Sequence, residues 1–148
     1  MFKRLKENEK GLTLIELLVV IVILGIIAAI AVIAIGGIID NSKKDAHIAN
    51  AKQMANAAKL YMAAEDKSTG DVTLGTLIDE NYTDAIKDPS VKGENYDPSA
   101  SKVTVSRGEN NKGFKYVVVL KSTDEKSYIT TDKNAMDLTR KDISVDGE

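Results

Sequence analysis

The chain has 148 residues, with 20 basic and 22 acidic side chains, one histidine and no cysteine. This length allows one small domain and an anchor, but not two domains. Without cysteine there is no disulfide and no thiolate chemistry, and the slightly acidic balance lacks the basic stripe of a nucleic-acid-binding protein. One histidine also leaves too few groups for a nucleophile, a base and an orienting partner. We therefore expect no enzyme activity, no cofactor and no metal site.

The first 39 residues divide into a basic leader and a long apolar run. The leader, residues 1–11, carries four basic and two acidic side chains. Residues 12–39 follow, with Glu16 as the one charged side chain in 28 positions. About 20 apolar residues suffice to span a bilayer, and basic residues before such a run favour a cytoplasmic leader. We predict a membrane-spanning helix over residues 12–39 and an extracytoplasmic head over residues 40–148.

Composition alone leaves two other interpretations of the apolar run open. Residues 29–31 read Ala-Ile-Ala, a match to the A-x-A site of a cleaved signal peptide. The apolar stretch before this match has about 17 residues, however, which exceeds the usual 7–15. The other interpretation is a simple uncleaved anchor. In both of them Glu16 is only a tolerated acid, because it lies roughly 6 Å from the start of the run along a helix and can reach the interface.

The residues around Glu16 favour a third interpretation. Residues 10–18 read Lys-Gly-Leu-Thr-Leu-Ile-Glu-Leu-Leu, which resembles the class III signal sequence of type IV pilins, pseudopilins and competence pilins. The resemblance implies that prepilin peptidase cuts between Gly11 and Leu12, that Leu12 is then N-methylated, and that Glu16 is retained for assembly. Leu12 stands where this family usually has Phe, and Ile33 stands where many members have proline. We therefore expect no proline kink in the helix.

Glu16 has a defined role under this interpretation. In a fibre core its carboxylate can neutralise the terminal amine of a neighbouring subunit. Removing one partner of a buried ion pair costs about 3–5 kcal/mol, so the pair is expected to set the axial register of the subunits. The expected points of helix flexibility are glycines, since Gly costs about 1 kcal/mol relative to Ala in a helix; they are Gly25, Gly36 and Gly37.

From Asp40 onward the helical pattern becomes amphipathic. The helix is predicted to continue to Lys67 and to stop near Gly70. His47 is predicted to be a solvated helix residue. The apolar residues of this half recur at helical spacing and predict one buried stripe; they are Ala51, Met54, Ala55, Ala58, Tyr61 and Met62.

The rest of the head is predicted to cover that stripe. Thr73 is expected to cap a short helix, and alternating or apolar runs predict antiparallel strands over residues 102–107, 114–121 and 127–131. Residues 138–145 are expected to add a weak edge strand. Tyr116 and Tyr128 are predicted to be core residues. The late acids lack the spacing of an EF-hand loop and are predicted to form a solvated tail rather than a calcium site; they are Asp132, Asp137, Asp142 and Asp146.

Taken as a member of this family, the chain is expected to have an α+β pilin fold. A long N-terminal helix, its apolar half protruding, would pack on an antiparallel meander of three to four strands. The implied function is a structural subunit of a type IV pilus, moving from the cytoplasmic membrane into an extracellular fibre for adhesion, motility or surface interaction.

Three alternatives to a pilus subunit stay open at this stage. They are a type II secretion pseudopilin, a competence pilin for DNA uptake, and an unrelated membrane-anchored binding module. The implied partners are copies of the chain itself, prepilin peptidase, an assembly platform protein and minor pilins. The membrane would serve as a reservoir of subunits, and no direct nucleic-acid binding is expected.

Overall fold

The structure is a computed structural model that describes the backbone of residues 2–146 and the side chains of residues 13–146. The chain divides into two compact units, Met1–Ile39 and Asp40–Glu148. Its regular elements are helix α1 (Phe2–Ala64), strand β1 (Gly70–Thr73), helix α2 (Leu74–Asp79), strand β2 (Lys102–Arg107) and strand β3 (Phe114–Val119). Short 3-10 turns cover Glu109–Asn111, Ala135–Asp137 and Arg140–Asp142. This arrangement is α+β and is consistent with the pilin fold, as the sequence predicted.

The second half of α1 forms the base of the core of the head. Its predicted apolar stripe is confirmed, because Ala51, Met54, Ala55 and Ala58 are at most 1% exposed and Met62 is also buried. Tyr61 is partly buried and packs against the same core, as do Ile48, Ile78, Tyr82 and Tyr116.

Helix α1 ends at Ala64, earlier than the predicted Lys67. Asp66 adopts a left-handed conformation with φ 52°, and the amide of Lys67 donates to the carbonyl of Met62 at 2.9 Å. This six-to-one hydrogen bond around a left-handed residue is a Schellman stop. The sequence pointed instead to Gly70, which is the first residue of β1.

The predicted short helix after Thr73 is confirmed. Thr73 has extended backbone angles, and its hydroxyl accepts a hydrogen bond from the amide of Thr76 at 3.1 Å. An N-cap of this kind satisfies one of the free amides of the first turn. The helix it starts, α2, buries Leu74 and Leu77 and so closes one end of the core.

The sheet has three antiparallel strands in the order β1, β2, β3. The predictions for residues 102–107 and 114–121 are confirmed as strands, although the second ends at Val119. Val103 pairs with Val118, and Val105 pairs with Tyr116, so the alternating apolar residues of β2 face the core. The third strand is β1, whose Val72 pairs with Val103 on the opposite edge of β2.

The predicted strand over residues 127–131 is wrong, and so is the predicted weak edge strand over residues 138–145. Both segments make only isolated antiparallel bridges, Lys121 to Ser127 and Ile129 to Ile143. The second of these segments contains the 3-10 turn Arg140–Asp142, which interrupts an extended run. Tyr128 and Ile143 are nevertheless buried, so these segments close the core as irregular chain.

The turn between β2 and β3 depends on Gly108. A Cβ atom at this position would overlap the carbonyl oxygen of Lys112. Asn110 and Asn111 both have positive φ, which asparagine tolerates better than most residues. The tight turn sets the register of β2 against β3.

Candidate assembly site

The first unit presents a helix with an almost wholly apolar surface. Apolar side chains between Leu14 and Ile39 are largely exposed, reaching 82% at Ile33. By length and composition this helix can cross a membrane. Residues 13–39 extend about 40 Å at 1.5 Å per residue, which is more than the roughly 30 Å of a bilayer core. Side chains of this kind require lipid or other apolar helices around them.

Glu16 lies on this helix and is exposed within the chain. It is the one charged side chain among the described residues 13–39. A carboxylate among apolar neighbours costs a few kcal/mol at the centre of a bilayer and less near its interface. The position therefore needs either the interface or a positively charged partner.

Three glycines interrupt the apolar side chains of this helix. A Cβ atom built at Gly25, Gly36 or Gly37 would meet nothing within 4 Å, so no contact inside the chain requires glycine there. The helix is continuous through all three positions and through Ile33. The side chains at the expected processing site, Gly11 and Leu12, lie outside those that the structure describes.

The head contains a buried polar cluster that was not predicted from the sequence. His47 was predicted to be solvated, but it is fully buried, so that prediction is wrong. Its Nδ1 atom lies 2.6 Å from the hydroxyl of Tyr96, and its Nε2 atom lies 2.9 Å from the Oγ atom of Ser90. Its ring stacks on Tyr128 at a centroid distance of 4.1 Å. These three partners come from segments 43 to 81 residues later, where helical spacing gives no signal.

The hydrogen bonds around His47 fit a neutral imidazole. Each ring nitrogen faces a hydroxyl group, Tyr96 on one side and Ser90 on the other, and a hydroxyl group can either donate or accept. The Tyr96 hydroxyl also accepts a hydrogen bond from the Nδ2 atom of Asn50 at 3.1 Å. A second proton on His47 would make both ring nitrogens donors and would place a positive charge in the core.

Asp88 completes the cluster from the other side. Its carboxylate accepts hydrogen bonds from the hydroxyl of Tyr128 at 2.6 Å and from the amide of Ser90 at 2.8 Å. Burial lowers the pKa of His47 to about 4, with Lys43 acting in the same direction and Asp88 against it. Burial also raises the pKa of Tyr128 to about 12, and its hydrogen bond to Asp88 adds to this shift. The side chains of His47 and Tyr128 are therefore both neutral at neutral pH.

The late acids are not one solvated tail, because Asp142 is buried. Its carboxylate pairs with Lys133 at 2.7 Å and accepts hydrogen bonds from the amide and hydroxyl of Thr139. The Lys133 and Thr139 hydrogen bonds lower the pKa of Asp142 to about 2. Within residues 13–146 no group of three acidic, histidine or cysteine side chains is arranged to hold a metal ion. The buried acid has a structural role in the last turn.

One comparison with known proteins bears on the first unit. Residues 6–32 match the family model of the prokaryotic N-terminal methylation motif, and this stretch contains Gly11, Leu12 and Glu16. No curated protein and no solved structure matches the chain. The resemblance predicted from residues 10–18 is confirmed by the family model.

Proposed function

From the class III signal peptide of the type IV pilin family, which this chain carries at residues 6–32, we propose that the chain is a pilin. It is the structural subunit of a type IV pilus. The observation that carries the proposal is the position of Glu16 inside this motif, as the one charge on an otherwise apolar, exposed helix. Subunits of this family are generally not enzymes, and the proposal assigns no catalysis.

Assembly follows from what the exposed helix requires. Before assembly, lipid covers the apolar side chains from Leu14 to Ile39, so the membrane is the reservoir of subunits. In the fibre, the same helices cover one another and the head stays outside. Prepilin peptidase, the assembly platform and minor pilins are the proposed partners of this transfer. The apolar surface is satisfied in both states, so transfer requires little net change in its burial.

Glu16 provides the specificity that apolar contacts lack. Cleavage after Gly11 creates a positive amine on Leu12, and the Glu16 carboxylate of a neighbouring subunit can neutralise it. A subunit docked at the wrong height leaves a charge without its partner, which costs about 3–5 kcal/mol when buried. The apolar helix thus supplies affinity, and the ion pair selects the register.

We expect the helix to be most flexible during this transfer at its three glycines, Gly25, Gly36 and Gly37. Glycine weakens a helix by about 1 kcal/mol relative to alanine, and no contact inside the chain explains its presence. Amide hydrogen exchange of subunits in detergent checks this role. Exchange at these residues no faster than in the rest of residues 13–39 would contradict it.

The processed terminus tests the proposed function directly. We expect the mature chain, recovered from sheared surface fibres, to begin at N-methylated Leu12, as measured by mass spectrometry of the terminal peptide. A start at Val32 would indicate an ordinary signal peptide, and an intact Met1 would indicate a simple anchor. Gly11→Val should block cleavage by crowding the scissile bond, and normal processing of this variant would refute the assignment. Processed subunits without surface fibres would favour the pseudopilin alternative.

A further inference from the structure

The head has three large apolar side chains that remain exposed in residues 40–146. Leu60 is 61% exposed, Phe114 is 43% exposed and Met136 is 44% exposed. Single exposed apolar residues are ordinary on protein surfaces, so exposure alone decides nothing. The charged side chains near these three residues instead distinguish two surfaces of the head.

Leu60 belongs to a surface with an acidic rim. It lines an open groove together with Tyr82, Asp84 and one base, Lys52, and the side chain of Gln53 donates to Thr83 in this groove at 3.2 Å. The chain from residue 68 to residue 86, which supplies Tyr82 and Asp84, has four acids and no basic residue; one of these acids, Asp71, pairs with Lys102 at 3.0 Å. Asp79, Glu80 and Asp84 are exposed and make no ion pair among the described residues. We call Leu60, Tyr82 and these three acids the acidic face.

Phe114 belongs to a surface of the opposite charge. It lines a groove with four basic residues, Arg107, Lys112, Lys115 and Lys133, and two acids, Glu109 and Asp137. The turn that carries Met136 packs beside β3. The chain from residue 102 to residue 121 has five basic residues and one acid, Glu109. Lys115 approaches the highly exposed Asp132 only at 3.9 Å. We call Phe114, Met136, Arg107, Lys112 and Lys115 the basic face.

The two faces lie on different sides of the head. Consecutive residues of a helix are about 100° apart around its axis. Lys59 lines a cleft with Phe114, whereas Leu60 lines the groove with Tyr82. The acidic face and the basic face therefore cannot meet within one subunit. They are arranged for a head-to-tail contact, in which one patch binds a different patch on the next copy.

We propose that the acidic face of one head binds the basic face of a second copy of this chain in the fibre. Leu60 supplies the apolar anchor on one side and Phe114 with Met136 the anchor on the other. The net charges of the two faces are complementary, which favours correct partners over like-charged ones. The proposal rests on the proposed function, because heads meet repeatedly only when the subunits polymerise.

Cross-linking in intact fibres tests this contact, because the natural chain has no cysteine. The full-length double variant Leu60→Cys, Phe114→Cys is assembled and treated with a short bis-maleimide. A head-to-tail contact joins each subunit to two neighbours, so denaturing gels should show a ladder of trimers and longer multimers. Each single variant can give dimers at most. The matched control is Leu60→Cys, Lys92→Cys, whose second cysteine is exposed and outside both faces.

The outcomes separate this inference from the proposed function. The proposed contact would be overturned if the Leu60→Cys, Phe114→Cys variant formed normal amounts of fibre but gave no ladder. It would also be overturned if the control variant gave an equal ladder. Either result would leave the pilin assignment intact. An unmodified chain that forms no fibres under any condition would instead contradict the pilin assignment.

Charge reversal gives a second, independent test. Asp84→Lys in the double-cysteine chain should reduce the ladder, and adding Lys115→Glu should restore it. A ladder that is unchanged by Asp84→Lys would refute the pairing of these faces. A ladder that is lost and is not restored by Lys115→Glu would also refute it, provided that the variant heads unfold at the same temperature as the parent.

Discussion

The rings of His47 and Tyr128 stack in the core of the head, with their centroids 4.1 Å apart and their planes 28° from parallel. His47 comes from α1, and Tyr128 comes from the irregular chain after β3. The contact thus joins the helix directly to the last part of the head. Since both rings also make hydrogen bonds at under 3 Å, their charge state bears on the stability of the whole head.

We expect the head to lose stability as the pH falls from about 6.5 to about 4. The pKa of His47 is lowered to about 4 in the folded chain, against about 6.5 when unfolded. The neutral form is therefore favoured by folding, and its contribution is complete above pH 6.5. Below that pH the unfolded chain binds the proton first. At 1.36 kcal/mol per pKa unit, the loss is at most about 3 kcal/mol.

Urea unfolding at a series of pH values checks this expectation. The matched variant is His47→Asn, which should be less stable than the parent at pH 7 but should lose less between pH 6.5 and 4. Carboxylates other than Asp88 contribute equally to both chains, so the difference between the two curves reports His47 together with its interaction with Asp88. Parallel curves over this range would show that His47 is protonated with its ordinary pKa.

Removing one hydroxyl from the cluster should be costly. Tyr128→Phe deletes the donor that lies 2.6 Å from the buried carboxylate of Asp88. A hydrogen bond to a charged group contributes about 1.5–3 kcal/mol, and we expect a loss of stability in this range by urea unfolding. Tyr82→Phe is the matched control, because the Tyr82 hydroxyl has no hydrogen-bond partner among the described side chains. If Tyr128→Phe were as stable as the parent, the hydrogen bond from Tyr128 to Asp88 would contribute nothing to the free energy of unfolding, and this prediction would be wrong.

The head should fold without the apolar helix. All the residues of its core cluster lie between Ile48 and Ile143, and its polar cluster is also complete within residues 40–148. We expect a fragment of residues 40–148 to be soluble and monomeric, with a circular dichroism spectrum of mixed helix and strand. A random-coil spectrum would mean that folding requires neighbouring subunits, and elution as a large oligomer would mean that the faces of the head associate on their own.

Substitution of Glu16 should separate membrane insertion from assembly. Glu16→Val and Glu16→Gln should insert normally, because either side chain is easier to bury than a carboxylate. Cleavage should also continue, while fibre recovery should fall sharply, because the incoming amine is buried without its partner. Glu16→Asp keeps the charge with one methylene fewer and should be intermediate. Immunoblots of sheared fibres and of membranes measure both pools.

The control for these variants is the processed terminus. Processed Glu16→Val subunits with normal fibre amounts would refute the pairing role and leave Glu16 as a tolerated interfacial acid. If processing itself stops, Glu16 acts in recognition by the peptidase instead.

Local sequence determined several elements of this protein without help from the rest of the chain. The apolar run and the motif around Glu16 are contiguous, and a family model matches the same residues. The alternation in residues 102–107 predicted β2, and Thr73 predicted the start of α2. The helical spacing of the apolar residues around Met54 predicted the buried stripe of α1. In each case the signal lies within about a dozen residues, where backbone geometry relates sequence spacing to one face.

Only the tertiary structure decided which distant segments meet. The third strand is β1, four residues long, and its partner β2 begins about 30 residues later. Too few residues lie in β1 to show an alternating pattern. His47 was misjudged because a polar residue is buried only where partners satisfy it, and those partners come from Ser90, Tyr96 and Tyr128. The spacing of residues along one helix does not indicate which hydroxyl groups of distant segments will lie beside that helix. The buried polar cluster is therefore evident only in the folded chain.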